Sequence, residues 1–83
     1  MQKHEWRERD EEGLRFYRAE YHASRWRLTS RGKEEEVWRE HDPISEEEWR
    51  KLREVMFNKY QRKRVPWQLV ERIDKILENF EDE

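Results

Sequence analysis

Apolar residues in the C-terminal half of the chain recur at helical spacing. Trp49, Leu52, Met56 and Tyr60 fall on one stripe, with Phe57 at its edge and Val55 to one side. Ahead of them "HDPISEEEW" supplies a start signal: Asp42-Pro43 as a turn, then Ser45 followed three residues later by Glu48, the spacing of a capping box. The pattern predicts a first helix over about residues 46–63. A second stripe follows Pro66, whose missing N–H is harmless in the first turn of a helix. Leu69, Val70, Ile73, Ile76, Leu77 and Phe80 occupy a sector of about 120°, at about 100° per residue, while Glu71, Arg72, Lys75 and Glu78 face away. This predicts a second helix over about 66–80, joined to the first by Arg64-Val65 alone.

The N-terminal half alternates instead. In "RWRLTSR" Trp26, Leu28 and Ser30 take one side, and Arg25, Arg27, Thr29 and Arg31 the other. In "LRFYRAEYH" Leu14 and Phe16 share one parity and Tyr17, Ala19 and Tyr21 the opposite one, as in a strand with apolar groups on both faces. Glu12-Gly13, Ala23-Ser24 and Gly32-Lys33 are turn signals. Together these predict an antiparallel meander with strands at about 4–9, 14–22, 25–31 and a short 36–40 containing Val37 and Trp38. A competing reading makes one long helix from residue 14, using Phe16, Ala19, Ala23 and Trp26. The alternation around Trp26, Leu28 and Thr29 opposes it, because a helix would scatter those side chains round its circumference.

The fold class expected is therefore α+β: a three- or four-stranded meander over about 4–40, then two helices packed on one face. With 83 residues the chain is expected to be a single small domain, frayed at 1–3 and 81–83. Charged residues make up 48% of it, a composition that leans toward disorder. Five Trp, three Tyr and three Phe oppose that, because each aromatic buries a large area. So small a core leaves aromatic surface to be covered, and self-association is one way to cover it. No cysteine is present, and no apolar run reaches the length of a signal or membrane segment. A cytoplasmic protein without membrane contact is the expectation.

The formal net charge of −2 gives no global field toward nucleic acid or anionic lipid, so any basic site must be local. One candidate is the run Lys59, Arg62, Lys63 and Arg64, flanked by Tyr60 and Trp67, which together would suit phosphates and a stacked base. The same cations also complement the dipole of a helix that opens with Glu46-Glu47-Glu48, worth about 0.3–1 kcal/mol per charge without a ligand. Arg25, Arg27 and Arg31 form a second basic feature. Interleaved with Tyr17 and Tyr21, they would suit single-stranded nucleic acid on a sheet face, or ordinary cross-strand pairs with Glu. Trp67 lies roughly 60° outside the apolar stripe and is a third candidate, for an interface or for packing against the other helix.

Chemistry is sparse. His4, His22 and His41 have no metal-ligand spacing, and His41 beside Asp42 reads as solvated at a turn. No Gly-rich phosphate loop or nucleophile motif is present, and Ser45 is used as a cap. The expectation is no enzyme, no metal and no cofactor. A protein-interaction or self-association module fits best, through Tyr60, Arg64 and Trp67 or through Tyr17 and Tyr21 beside Arg25 and Arg27. Nucleic-acid binding through Arg25, Arg27, Arg31, Lys59, Arg62, Lys63 and Arg64 is the alternative.

Overall fold

A computed structural model describes residues 2–81 as a four-stranded antiparallel sheet followed by two helices, an α+β fold. Contacts divide the chain into two compact units, Met1–Pro43 and Ile44–Glu83. Among the described residues no helix is long and apolar enough to cross a membrane.

The first unit contains β1 (Gln2–Asp10), β2 (Gly13–His22), β3 (Arg25–Gly32) and β4 (Arg39–Glu40), each paired with the next. Residues 14–31 are thus strands, and the single-helix alternative does not form. Strand β1 takes in residues 2 and 3 of the stretch expected to fray, and the helix after Pro66 takes in 81; Met1, Asp82 and Glu83 lie outside the described residues. The expected fourth strand shrinks to Arg39–Glu40: Val37 and Trp38 precede it, and Val37 is 72% exposed.

Two tight turns fix the register. Asp10 pairs with Gly13 across Glu11-Glu12, with the Glu12 N–H donating to Asp10 Oδ1 at 2.9 Å. Gly13 sits at φ 121°, a conformation L side chains rarely adopt, which accounts for glycine there. His22 pairs with Arg25 across Ala23 (φ 52°) and Ser24 (φ 63°), the doubly left-handed backbone of a hairpin whose twist matches its strands.

This register sorts the side chains into two faces. On one, His4, Trp6, Tyr17, Ala19, Tyr21, Trp26, Leu28 and Ser30 are buried or half-buried. Here Trp6 stacks on Tyr17 at 5.4 Å, and Tyr21 tilts against Trp26 at 4.9 Å, contacts worth about 0.5–1.5 kcal/mol each beyond burial. The other face carries Leu14, Phe16 and most of the strand charges.

The second unit is a helical hairpin of α1 (Glu46–Gln61) and α2 (Trp67–Glu81). The capping box forms: the Glu48 N–H donates to Ser45 Oγ at 3.2 Å, and the Ser45 N–H donates to Glu48 Oε1 at 2.9 Å. Contacts between Arg53 and Asp74 and between Tyr60 and Trp67 run in opposite sequence directions, so the helices are antiparallel. Trp49, Leu52 and Met56 of α1 and Leu69, Val70, Ile73 and Leu77 of α2 are buried. Full burial of a Leu, Met, Val or Ile side chain contributes about 1.5–3 kcal/mol. That stripe, not intrinsic propensity, holds helices this short in place.

Candidate interaction site

Helix α1 closes in a motif that builds the next surface. The Lys63 N–H donates to the Tyr60 carbonyl at 2.8 Å and the Arg64 N–H to the Lys59 carbonyl at 2.9 Å. This is the paired closure of a Schellman C-cap, with Lys63 at φ 60° where glycine is the usual residue. Val65 then turns inward and is buried, and Pro66 immediately precedes α2. The chain reverses in so few residues that Tyr60 and Trp67 meet, ring centroids 5.1 Å apart and tilted 59°. Each is nevertheless 40% exposed. Beside them Lys63, Arg64, Val65 and Pro66 complete an open concavity of about 430 Å³ with Tyr60.

The structure therefore brings Tyr60, Arg64 and Trp67 together as one corner, with Lys63 at its edge and Arg62 exposed nearby. The corner is aromatic in its walls and cationic at its rim. Lys59 is half-buried one turn back on α1. Trp67 packs on the other helix through Tyr60, as one of the two expectations had it, and remains partly exposed.

The sheet distributes its candidates otherwise. Tyr17 and Tyr21 are opposite Ser30 and Trp26 across the ladder, whereas Arg25, Arg27 and Arg31 are opposite His22, Glu20 and Phe16. The tyrosines and the arginines are on opposite faces, so they form no joint surface. The reason is parity: the β2–β3 register matches odd β2 residues with even β3 residues. Tyr17 and Tyr21 are committed to Trp6 and Trp26 on the half-buried face.

The arginines instead share a face with Phe16 and Trp38. The Arg18 guanidinium lies 4.3 Å from the Trp38 ring centroid, and that of Arg31 lies 5.0 Å from Phe16 and 5.3 Å from Trp38. Arg31 also donates to the Glu35 carbonyl at 3.0 Å, fastening the 33–38 connection to the sheet. A cavity of about 440 Å³ opens beside these groups. This face carries Lys3, Arg7, Arg9, Arg18, Arg25, Arg27 and Arg31 against Glu5, Glu20 and Glu40. Two of those carboxylates are bonded: Arg18 Nε to Glu5 Oε1 at 3.1 Å and Arg27 Nε to Glu40 Oε1 at 2.8 Å. The middle rows alternate in sign; the Arg7–Phe16–Arg31 and Arg9–Leu14 rows carry no acid, with Glu5 lining the cavity beside Arg7, Phe16, Arg31 and Trp38.

One polar cluster had no sequence signal. Ser30, fully buried, accepts from Arg15 Nε at 3.1 Å, and a 2.6 Å hydrogen bond joins its Oγ to His41 Nε2. His41 is thus half-buried, also facing Tyr17 at 6.2 Å, not solvated as its turn position suggested. A serine beside a histidine has the makings of a nucleophile. Here the hydroxyl is sealed from any substrate, and the cluster instead ties β2, β3 and the residue after β4 together. Among the described residues no group of three or more His, Asp or Glu side chains is placed to hold a metal ion.

Compared with protein-family models, with curated proteins and with solved structures, the chain matches none.

Proposed function

We propose that this chain is a non-catalytic protein-interaction module, and that it docks an acidic, apolar-anchored segment at the closed end of its helical hairpin. The observation that carries this is the Tyr60–Trp67 pair, two large aromatics in mutual contact and each 40% exposed, beside a concavity edged by Lys63 and Arg64. Trp, Tyr and Arg are the residue types that dominate interface hot spots, because they combine large area with few lost rotamers or with multiple donors. The cationic rim selects for carboxylates on the incoming segment, and the aromatic walls select for one apolar side chain.

An amide-resolved NMR titration with a synthetic Asp/Glu-rich peptide carrying one central Phe tests this. Shifts are expected over residues 59–69 and at the Trp67 indole N–H, and they disappear in Trp67→Ala. A peptide that leaves these signals unmoved overturns the reading.

Nucleic-acid binding is the second reading, and Arg7, Arg9 and Arg31, on rows without acid beside Phe16, favour it. Aromatic stacking with nearby phosphate contacts is how single strands are held. In the same titration a single-stranded oligonucleotide would then shift residues 7–18 and 31–38, leaving the hairpin end unchanged.

A further inference from the structure

We infer that the segment docked at the hairpin's closed end is the acidic stretch 78–83, which begins in the last turn of α2, of a second copy of this chain; the inference rests on the docking reading above. A helix carries partial positive charge at its N-terminus and partial negative charge at its C-terminus, so acids belong in the first turn and bases in the last. Helix α1 obeys this order, with Glu46, Glu47 and Glu48 in its first turn and Lys59 in its last. Helix α2 reverses it. Its first turn has no acidic residue and is separated by two residues from Arg62-Lys63-Arg64, while its last turn has no basic residue. The sequence there reads Glu78-Asn79-Phe80-Glu81-Asp82-Glu83. Each end of α2 thus carries the charge its own dipole disfavours, and the two ends are complementary to one another.

The exposed apolar groups coincide with the same two ends. Exposed large hydrophobic side chains among the described residues are Val37, Tyr60, Trp67 and Phe80; all but Val37 lie at one end of α2 or the other. Phe80, 37% exposed and flanked by carboxylates in the sequence, has the chemistry of the anchor that the Tyr60–Trp67 corner takes. The contact cannot form within one copy. Trp67 and Phe80 are thirteen residues apart on one helix, about 20 Å at about 1.5 Å per residue. Between copies, the end of one α2 meets the start of the next. Each copy has one corner and one tail, so the contact either closes reciprocally in a two-fold dimer with the two α2 helices antiparallel or propagates into a ring or chain.

Two charge-reversed variants test this, with unchanged circular dichroism as the check on folding. One is K63E/R64E, which spoils the corner and keeps the tail; the other is E78K/E81K/D82K, which does the opposite. By light scattering across a concentration series, the unaltered protein is expected to associate into a dimer or larger, and to return toward monomer as salt is raised. Each variant alone should associate at least about tenfold more weakly, the loss of several partly exposed charge contacts acting together. Mixed, the two should associate again, because the acidic tail of one meets the intact corner of the other and the reversed tail meets the reversed corner. A strict monomer at every concentration, a variant that associates as the unaltered protein does, or a mixture that does not associate overturns the inference. If the unaltered protein stays monomeric while the acidic peptide still shifts Trp67, self-docking falls and the docking reading stands. If the peptide fails as well, both fall.

Discussion

Ser30 shows how one hydroxyl holds several strands. Its Oγ is the common partner of Arg15 and His41, and no water reaches it. Replacing it with Ala leaves two polar groups without that partner in a partly buried site. The cost of such orphaned groups is about 1–3 kcal/mol. Ser30→Ala is therefore expected to lower the urea midpoint accordingly with an unchanged slope, and a midpoint within error of the parent would show that the cluster contributes nothing. Half of this was legible in the sequence. Alternation in "RWRLTSR" placed Ser30 on the side of Trp26 and Leu28, where it is found. His41 was not legible, because it arrives through a connection with no period, and periodicity is blind to what a loop returns to. The same blindness hid Trp38, which reaches Arg18 and Arg31 from outside any regular strand.

The elements followed from the sequence more fully than the contacts between them. The capping box at Ser45 and Glu48, the stripe from Leu69 to Leu77 and the strand parities all rest on short-range geometry, and all are present. Register is longer in range. Whether Tyr17 faces the arginines depends on one residue of slip, which the Ala23-Ser24 turn decides and composition does not. That turn offers a test, since both residues hold positive φ without being Gly, Asn or Asp. A23N/S24G installs the pair that this backbone prefers, and should raise stability by about 0.5–1 kcal/mol in thermal or urea melts. A loss would mean that the strands do not impose a left-handed turn there. Lys63 poses the same question at the end of α1. Lys63→Gly relieves a left-handed residue, worth about 1 kcal/mol, and at the same time removes a rim cation from the candidate corner. The expected outcome is a more stable protein that binds the acidic peptide less well. A variant both more stable and equally competent would show that the Lys63 charge plays no part in docking.

At the scale of the whole molecule the informative quantity is where charge sits, not its sum. A chain of formal charge −2 carries one sheet face with seven cations, Lys3, Arg7, Arg9, Arg18, Arg25, Arg27 and Arg31, against three carboxylates, Glu5, Glu20 and Glu40. Counted alone, that excess argues for a polyanion. The arrangement argues against a long one, because Glu5 and Glu40 flank the Arg18–Thr29 row and Glu20 separates Lys3 from Arg27. A phosphate chain crossing those rows meets a carboxylate at nearly every step, and like charges in register are repelled. What remains for a single strand is Arg7, Arg9 and Arg31, three contacts beside Phe16 and Trp38. Each phosphate neutralised on a single strand contributes about −0.7 to the slope of log affinity against log salt, so three predict a slope of about −2. Seven cations engaged as one track would give about −5. Fluorescence anisotropy with a labelled single-stranded oligonucleotide, from low to physiological salt, separates the two. The expected result is weak binding with the shallow slope, lost in R7E/R31E and indifferent to K63E/R64E. A slope steeper than about −4 would mean that the carboxylates do not interrupt the face, and would make nucleic acid, not an acidic protein segment, the partner to pursue.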